Sequence, residues 1–485
     1  MIPADSLGQT AGPAMTVDGP PRRPRLLLAI ACAAQFICVL DASIVNVALP
    51  PIQESLGLSA TGLQWVVSSY TLTFAGFLLL GGRVGDLWGR RRAFVGGLLL
   101  FAVASLAAGL AQEGWQLVAA RFVQGVGGAV LVPTTLSLIT TGFTAPQARA
   151  RALSVLTAAA AAGGGLGGVF GGILTGLLSW RWIFFVNVPL AAILVVAAAW
   201  ALTGRAPGLV RGRLDLPGSL SVTAATAALV ATVILGEERG WLSAPALLCL
   251  GVAATAFAVF ILVERRAEDP VVPLTVFRVR PVTVANALAA LVGGALPATM
   301  FFLTLYLQLV LGMDPLTAGL ALTPGAVGIA LGARAASRLI GRLGPRRTFM
   351  LGSLLSAGAL LWLSGIDVGG RYQWDVLAPL ILAMAGFGAA GLPLTVTATS
   401  GLGEGRSGLA SGLLSASRQV GSAIGLATLV AVASSWTVTS GLVGPAALTR
   451  GFGAGLLCGA GLLCIACLAA IALPGRYGQP RREPT

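Results

Sequence analysis

Histidine and lysine are both absent from this 485-residue chain. Without histidine, the side chain that titrates nearest neutral pH is missing, so any proton the protein handles falls to a carboxylate. No span or loop sets a nucleophile beside a base, or gathers metal-ligand side chains, which argues against an enzyme. Without lysine, all 31 basic residues are arginine, against 17 acidic ones. Charge of either sign is scarce: 10% of residues are charged, where a soluble globular domain carries roughly 25%. That scarcity excludes an ordinary soluble fold.

What fills the chain instead is apolar. Hydrophobic residues make up 56% of it, and the mean hydropathy is +0.89. Stretches of about 20 apolar residues, enough to cross a ~30 Å hydrocarbon core, recur from end to end. Fourteen spans are predicted, near 27–49, 63–82, 93–111, 116–139, 152–177, 182–203, 217–236, 245–264, 283–310, 317–340, 348–365, 376–400, 408–434 and 451–473. Before them, residues 1–26 read as a disordered cytoplasmic tail, with the first span as an uncleaved signal anchor. Residues 204–282 read as a linker with two inserted helices, and 474–485 as a second cytoplasmic tail.

The position of the charge explains the net +14. With the N-terminus inside, the inner tails and loops collect 24 of the 31 arginines. The other side holds only Arg181, Arg239, Arg371 and Arg450, while Arg121, Arg334 and Arg418 fall within spans. Arginine clustered at alternate helix ends is a positive-inside pattern and places both termini in the cytoplasm. It is not a nucleic-acid surface. All six cysteines lie in apolar runs, and Cys464-x-x-Cys467 reads as small-residue packing.

A faint internal repeat divides the spans. Gly89-Arg90-Arg91-Arg92 after span 2 has a counterpart in Gly344-Pro345-Arg346-Arg347 after span 10. Gly163-x-x-x-Gly167 in span 5 echoes Gly421-x-x-x-Gly425 in span 13. Two six-helix halves, 27–203 and 283–473, follow, and parallel repeats of this kind put a substrate site between the halves near the bilayer midplane.

Three stretches carry candidate chemistry. Asp41 is the one acidic residue deep in a predicted span, and an intramembrane carboxylate is a functional candidate by default. Arg121 opens span 4 in Arg121-Phe122-Val123-Gln124-Gly125-Val126-Gly127-Gly128, at a depth similar to that of Asp41. Burial favours the neutral form of a carboxyl and an adjacent guanidinium the ionised form, so a pair that opens and closes switches proton affinity. Span 5 carries the glycine run Gly163, Gly164, Gly165, Gly167, Gly168, Gly171 and Gly172, suited to close helix packing. Gln35, Asn46, Gln124, Arg418 and Gln419 are candidate cavity-lining polar residues.

The loop Gly82-Arg83-Val84-Gly85-Asp86-Leu87-Trp88-Gly89-Arg90-Arg91-Arg92 resembles the helix 2–3 signature of the major facilitator superfamily. The stretch Leu40 to Pro50 resembles the helix 1 signature of its fourteen-span drug:proton antiporters. The Arg121 stretch resembles the helix 4 signature, and the span 5 run resembles the antiporter signature, with Gly167-Gly168 where that usually reads glycine-proline. Trp180-Arg181-Trp182-Ile183-Phe184-Phe185-Val186-Asn187-Val188-Pro189 is a further match.

The resemblance implies an all-α polytopic membrane protein of the major-facilitator fold, with two six-helix bundles plus two inserted helices. It implies proton-coupled export of small hydrophobic drugs or antibiotics from a bacterial cell by a monomer without cofactor or metal. Asp41 and Arg121 would couple protons, Gly82, Asp86 and Arg90 would latch the halves, and Gly163, Gly167, Gly171 and Gly172 would form the antiporter signature. A dedicated exporter of one endogenous metabolite fits the same residues. A non-transporting membrane sensor is the remaining alternative.

Overall fold

The computed structural model describes residues 24–143, 145–201, 215–267, 270, 272–400 and 407–473. The predicted tails, apart from residues 24–26, and linker residues 204–214 lie outside it. The described residues are helical through most of each predicted span. The first half comprises α1 (Pro24–Leu56), α2 (Ala60–Trp88), α3 (Arg90–Gly109), α4 (Gly114–Gly142), α5 (Pro146–Leu177) and α6 (Trp182–Ala201). The inserted pair is α7 (Leu216–Arg239) and α8 (Ala244–Arg266). The second half comprises α9 (Arg280–Leu305), α10 (315–343), α11 (345–363), α12 (Ala378–Ser400), α13 (Ser407–Thr439) and α14 (Pro445–Ala469).

Twelve stretches among the described residues are long and apolar enough to cross a membrane. One of them, Pro315–Leu363, is two helices joined at a kink, and α2 is the remaining member of the fourteen. The predicted spans were too short at the loop after α2, where helix continues to Trp88. The turn is Gly89 alone, at φ 87 and ψ 135, a backbone region open to glycine and strained for other residues. Its repeat counterpart Gly344, at φ 78 and ψ 169, makes the break between α10 and α11. Helix α1 likewise runs on through Pro50 and Pro51 to Leu56.

The repeat seen in sequence is also a repeat of packing. In the first half, a Cβ at Gly163 would lie 2.7 Å from the Phe36 carbonyl oxygen, and one at Gly171 would lie 2.9 Å from that of Ile44. Thus α5 lies directly on α1. In the second half Gly421 meets Ala290 and Gly425 meets Gly294, so α13 lies on α9 in the same manner. Gly81 of α2 against Ala129 of α4 is matched by Gly332 of α10 against Ala385 of α12. Lipid is as apolar as a side-chain core, so helices associate by close packing at small residues rather than by hydrophobic expulsion.

Leu99, Val103, Ile193, Trp200, Leu248, Phe257, Leu355 and Leu468 remain exposed on the outside of the bundle. A soluble monomer rarely presents that much apolar surface; a bilayer requires it. The inserted α7 places Val230, Val233 and Ile234 against Leu72 of α2 and Ala423 and Ala427 of α13. It therefore covers a seam where the two halves meet. Asp215 starts α7 by accepting the Gly218 amide at 2.9 Å.

Candidate proton-coupling and transport site

Asp41 sits near the middle of α1 with 0% of its surface exposed, and Arg121 of α4 has 1%. The Arg121 Nη1 donates to Asp41 Oδ2 at 2.5 Å. The other carboxylate oxygen accepts from Gln124 Nε2 at 2.8 Å and Asn187 Nδ2 at 2.7 Å. Both amides also donate to Ser105 Oγ of α3, at 2.6 and 3.1 Å. Four helices, α1, α3, α4 and α6, thus converge on one carboxylate.

The arginine is held as firmly. Its Nη1 also donates to Gln124 Oε1 at 2.6 Å, and its Nε to the Val66 carbonyl of α2 at 3.3 Å. The Tyr70 ring lies 4.3 Å from the guanidinium carbon and the Phe184 ring 5.8 Å away, within cation–π range. Burying two charges is unfavourable by several kcal/mol per ion unless geometry and further hydrogen bonds compensate. Here the further bonds exist, and removal of either partner strands the other.

The network connects to the glycine run. Two residues from Asp41, Ser43 Oγ donates to the Gly164 carbonyl of α5 at 2.9 Å, and a Cβ at Gly167 would lie 2.5 Å from Ser43 Cβ. Gly163, Gly167 and Gly171 form the face of α5 turned to α1. Gly165, Gly168 and Gly172 form another, turned to α10: a Cβ at Gly168 would lie 2.8 Å from the Gly319 carbonyl oxygen, and one at Gly172 would lie 2.5 Å from Leu316 Cα. Helix α5 is therefore clasped between the first half and the second. Gln308 Nε2, beyond α9, also crosses the halves to the Val47 carbonyl at 2.9 Å.

The remaining predicted residues separate. Gln124, predicted to line the cavity, is 0% exposed and belongs to the Asp41 network, because its amide bridges both charges. Gln35 accepts from Thr135 Oγ1 of α4 at 3.3 Å. Asn46 donates to its own helix, to the Ala42 and Ser43 carbonyls. Arg418 and Gln419 lie on α13, in the other half. Gly82 is part of α2 rather than of a loop, and its Cβ position faces Pro133 of α4. Arg90 is half-buried at the start of α3, and the side chain of Asp86 lies outside the described residues. Ser105, Asn187 and Tyr70 were not assigned to this site from sequence. Asn187 had a signal, its place in the Trp180–Pro189 stretch; a serine in an apolar helix has none.

Residues 31–426 match the sequence profile of the Major Facilitator Superfamily. The chain belongs to that superfamily. It is a membrane transporter, not an enzyme. The cephamycin export protein CmcT of Amycolatopsis lactamdurans is 39% identical over 429 residues, 88% of this chain and 87% of that one. The puromycin resistance protein of Streptomyces alboniger is 37% identical, over 87% of this chain and 84% of its own. The multidrug resistance protein Stp of Mycobacterium tuberculosis is 36% identical, over 85% and 77%. Among solved structures, an auto-inhibited POT family peptide transporter superposes with a TM-score of 0.68 at 16% identity, covering 96% of this chain and 99% of that one. An inward-facing bacterial homologue of the lysosomal transporter Spinster superposes at 0.61 with 17% identity, covering 95% and 100%. These two carry the fold alone; the superfamily's two-bundle arrangement with an inserted helix pair is what the packing above describes.

Proposed function

We propose that this transporter exports small hydrophobic compounds across the bacterial cell membrane in exchange for protons. The buried Asp41–Arg121 pair carries the proposal, since its carboxylate is the deep titratable acid of the described spans. In the closed pair, three donors satisfy the carboxylate and burial keeps it away from water. Separation of Arg121 from Asp41 breaks the ion pair, and that opening is the coupling step of this reading. Because Ser43 ties α1 to α5, and α5 is clasped to α10, a shift of α1 reaches the interface between the halves. Alternating access follows from that chain of contacts, with Gly163, Gly167, Gly171 and Gly172 as the sliding surface. Gly82, Asp86 and Arg90 serve as the latch at the opposite end. The arginine bias supports an orientation with both termini in the cytoplasm. In that orientation the contacts between α5 and α10, and between Gln308 and Val47, close the outer side. The transporter acts as a monomer.

Several relatives are named for single compounds (cephamycin export, puromycin resistance), which favours a narrow substrate as the second reading. Inverted vesicles energised by respiration and followed with a ΔpH dye test the coupling. Substrate-induced proton release is expected from the wild type and none from Asp41→Asn at equal membrane abundance. Unaltered release in the variant would remove Asp41 from the coupling step.

A further inference from the structure

Arg418 is a charged residue deep in the second half for which the described residues offer no hydrogen bond or ion pair. It stands eleven residues into α13, roughly 17 Å from Ser407 at 1.5 Å per residue. Its side chain is solvent-exposed although its backbone packs directly on Gly293 of α9. That combination belongs to a group facing an open internal cavity. A core group would be covered, and a guanidinium turned to lipid at this depth would be costly.

The surrounding backbone is shaped to hold it there. A Cβ at Gly293 of α9 would lie 2.3 Å from the Arg418 carbonyl oxygen and 3.0 Å from its Cγ, so glycine here lets the two backbones meet and leaves room for the arginine stem. One residue earlier, Ser417 Oγ donates to Asn286 Oδ1 of α9 at 2.9 Å, which fixes the rotation of α13 against α9. Leu414, one turn before Arg418 and on the same face, is half-buried and apolar. Arg418 itself makes no hydrogen bond or ion pair among the described residues. Arg121, the deep arginine of the first half, is neutralised by Asp41, while Asp215 and Glu264 lie at the ends of α7 and α8. With Arg334 nearer the inner end of α10, the uncompensated deep charge among the described residues is that of Arg418.

An unpaired guanidinium at this depth is unfavourable unless something supplies the missing anion. We propose that Arg418 is the recognition group for substrate, and that the exported compounds are amphipathic organic anions, with a carboxylate or like oxyanion on the guanidinium and an apolar body beside Leu414. A guanidinium presents a planar fork of donors matched to two oxyanion oxygens. This rests on the exporter reading above and narrows it: lipophilic cations are disfavoured by the same charge that attracts anions.

Binding and transport are measured separately so that the two readings fail separately. Fluorescence anisotropy of fluorescein, which carries a carboxylate, is followed on the purified full-length protein in detergent, with the cationic dye ethidium alongside. Wild type is expected to bind fluorescein in preference to ethidium. Arg418→Gln should weaken fluorescein binding roughly ten- to a hundredfold, the range for a hydrogen-bonded charged group, and Arg418→Lys should retain part of it. Arg418→Gln should leave the gel-filtration profile of the protein unchanged. Equal fluorescein affinity in wild type and Arg418→Gln overturns the proposal, as does a wild type that prefers ethidium or binds neither dye. Proton-driven uptake of fluorescein by inverted vesicles is read in parallel. Binding without uptake would count against proton-coupled export while leaving the Arg418 site standing.

Discussion

At the residue scale, the two deep charges of the first half depend on each other. Arg121→Gln leaves Asp41 buried without its cation, a loss of about 3–5 kcal/mol for a broken buried pair. The double variant Asp41→Asn/Arg121→Gln leaves no stranded charge. It is expected to melt at a higher temperature than Arg121→Gln alone, and a thermal melt in detergent reads the difference. A double variant that melts lower would mean the pair is not the linked unit described. Asn187→Ala removes one of three donors to the carboxylate and should cost about 1 kcal/mol, near the usual value for an interhelical hydrogen bond in a membrane. The same variant should slow proton-coupled transport several-fold without abolishing it. Asp41 and Arg121 were legible in sequence because each is a costly residue in an apolar run. Ser105 was not, because a serine in a membrane helix satisfies itself on its own backbone as readily as on a neighbour.

At the element scale, glycine decides where helices touch. Gly168 and Gly319 approach so closely that a side chain at either meets the other's backbone. Replacing Gly319 with valine should therefore push α5 and α10 apart and favour the state open at that end. In a background carrying Gln308→Cys, the cysteine should label faster with a membrane-impermeant maleimide from outside when Gly319→Val is added. No change in labelling would show that the α5–α10 contact does not close the outer side. The usual glycine-proline of the antiporter signature is Gly167-Gly168 here, and the structure gives position 168 a reason to be small, since it lies against Gly319. At the two helix breaks, Gly89→Ala and Gly344→Ala each force a side chain into a positive-φ conformation. Each should lower stability by about 1–3 kcal/mol, measured as a drop in melting temperature. The glycine-arginine repeat was readable in sequence. That the loop after α2 shrinks to one residue was not, since helix ends are set by local hydrogen bonding that composition does not reveal.

At the scale of the whole molecule, charge movement follows from the exchange. With one proton entering per substrate leaving, export of a neutral compound carries one positive charge inward, and export of a monoanion carries two. Each charge crossing 100 mV is worth about 2.3 kcal/mol. Collapsing the membrane potential with valinomycin and potassium should therefore slow export of a monoanion more than that of a neutral analogue. Equal slowing would mean a different stoichiometry. The sequence by itself determined the membrane class, the fourteen spans, the arginine asymmetry and the two deep charges. Each is a property of which residue stands at which depth in an apolar run, and depth is counted along the chain. Tertiary structure alone decided that four helices meet on Asp41 and that Gln124 belongs to that network rather than to a cavity. It also decided that α5 is gripped on two faces and that Arg418 has no hydrogen bond or ion pair among the described residues. Those are relations between helices far apart in sequence, fixed by how closely small residues let backbones approach, and no local pattern records them.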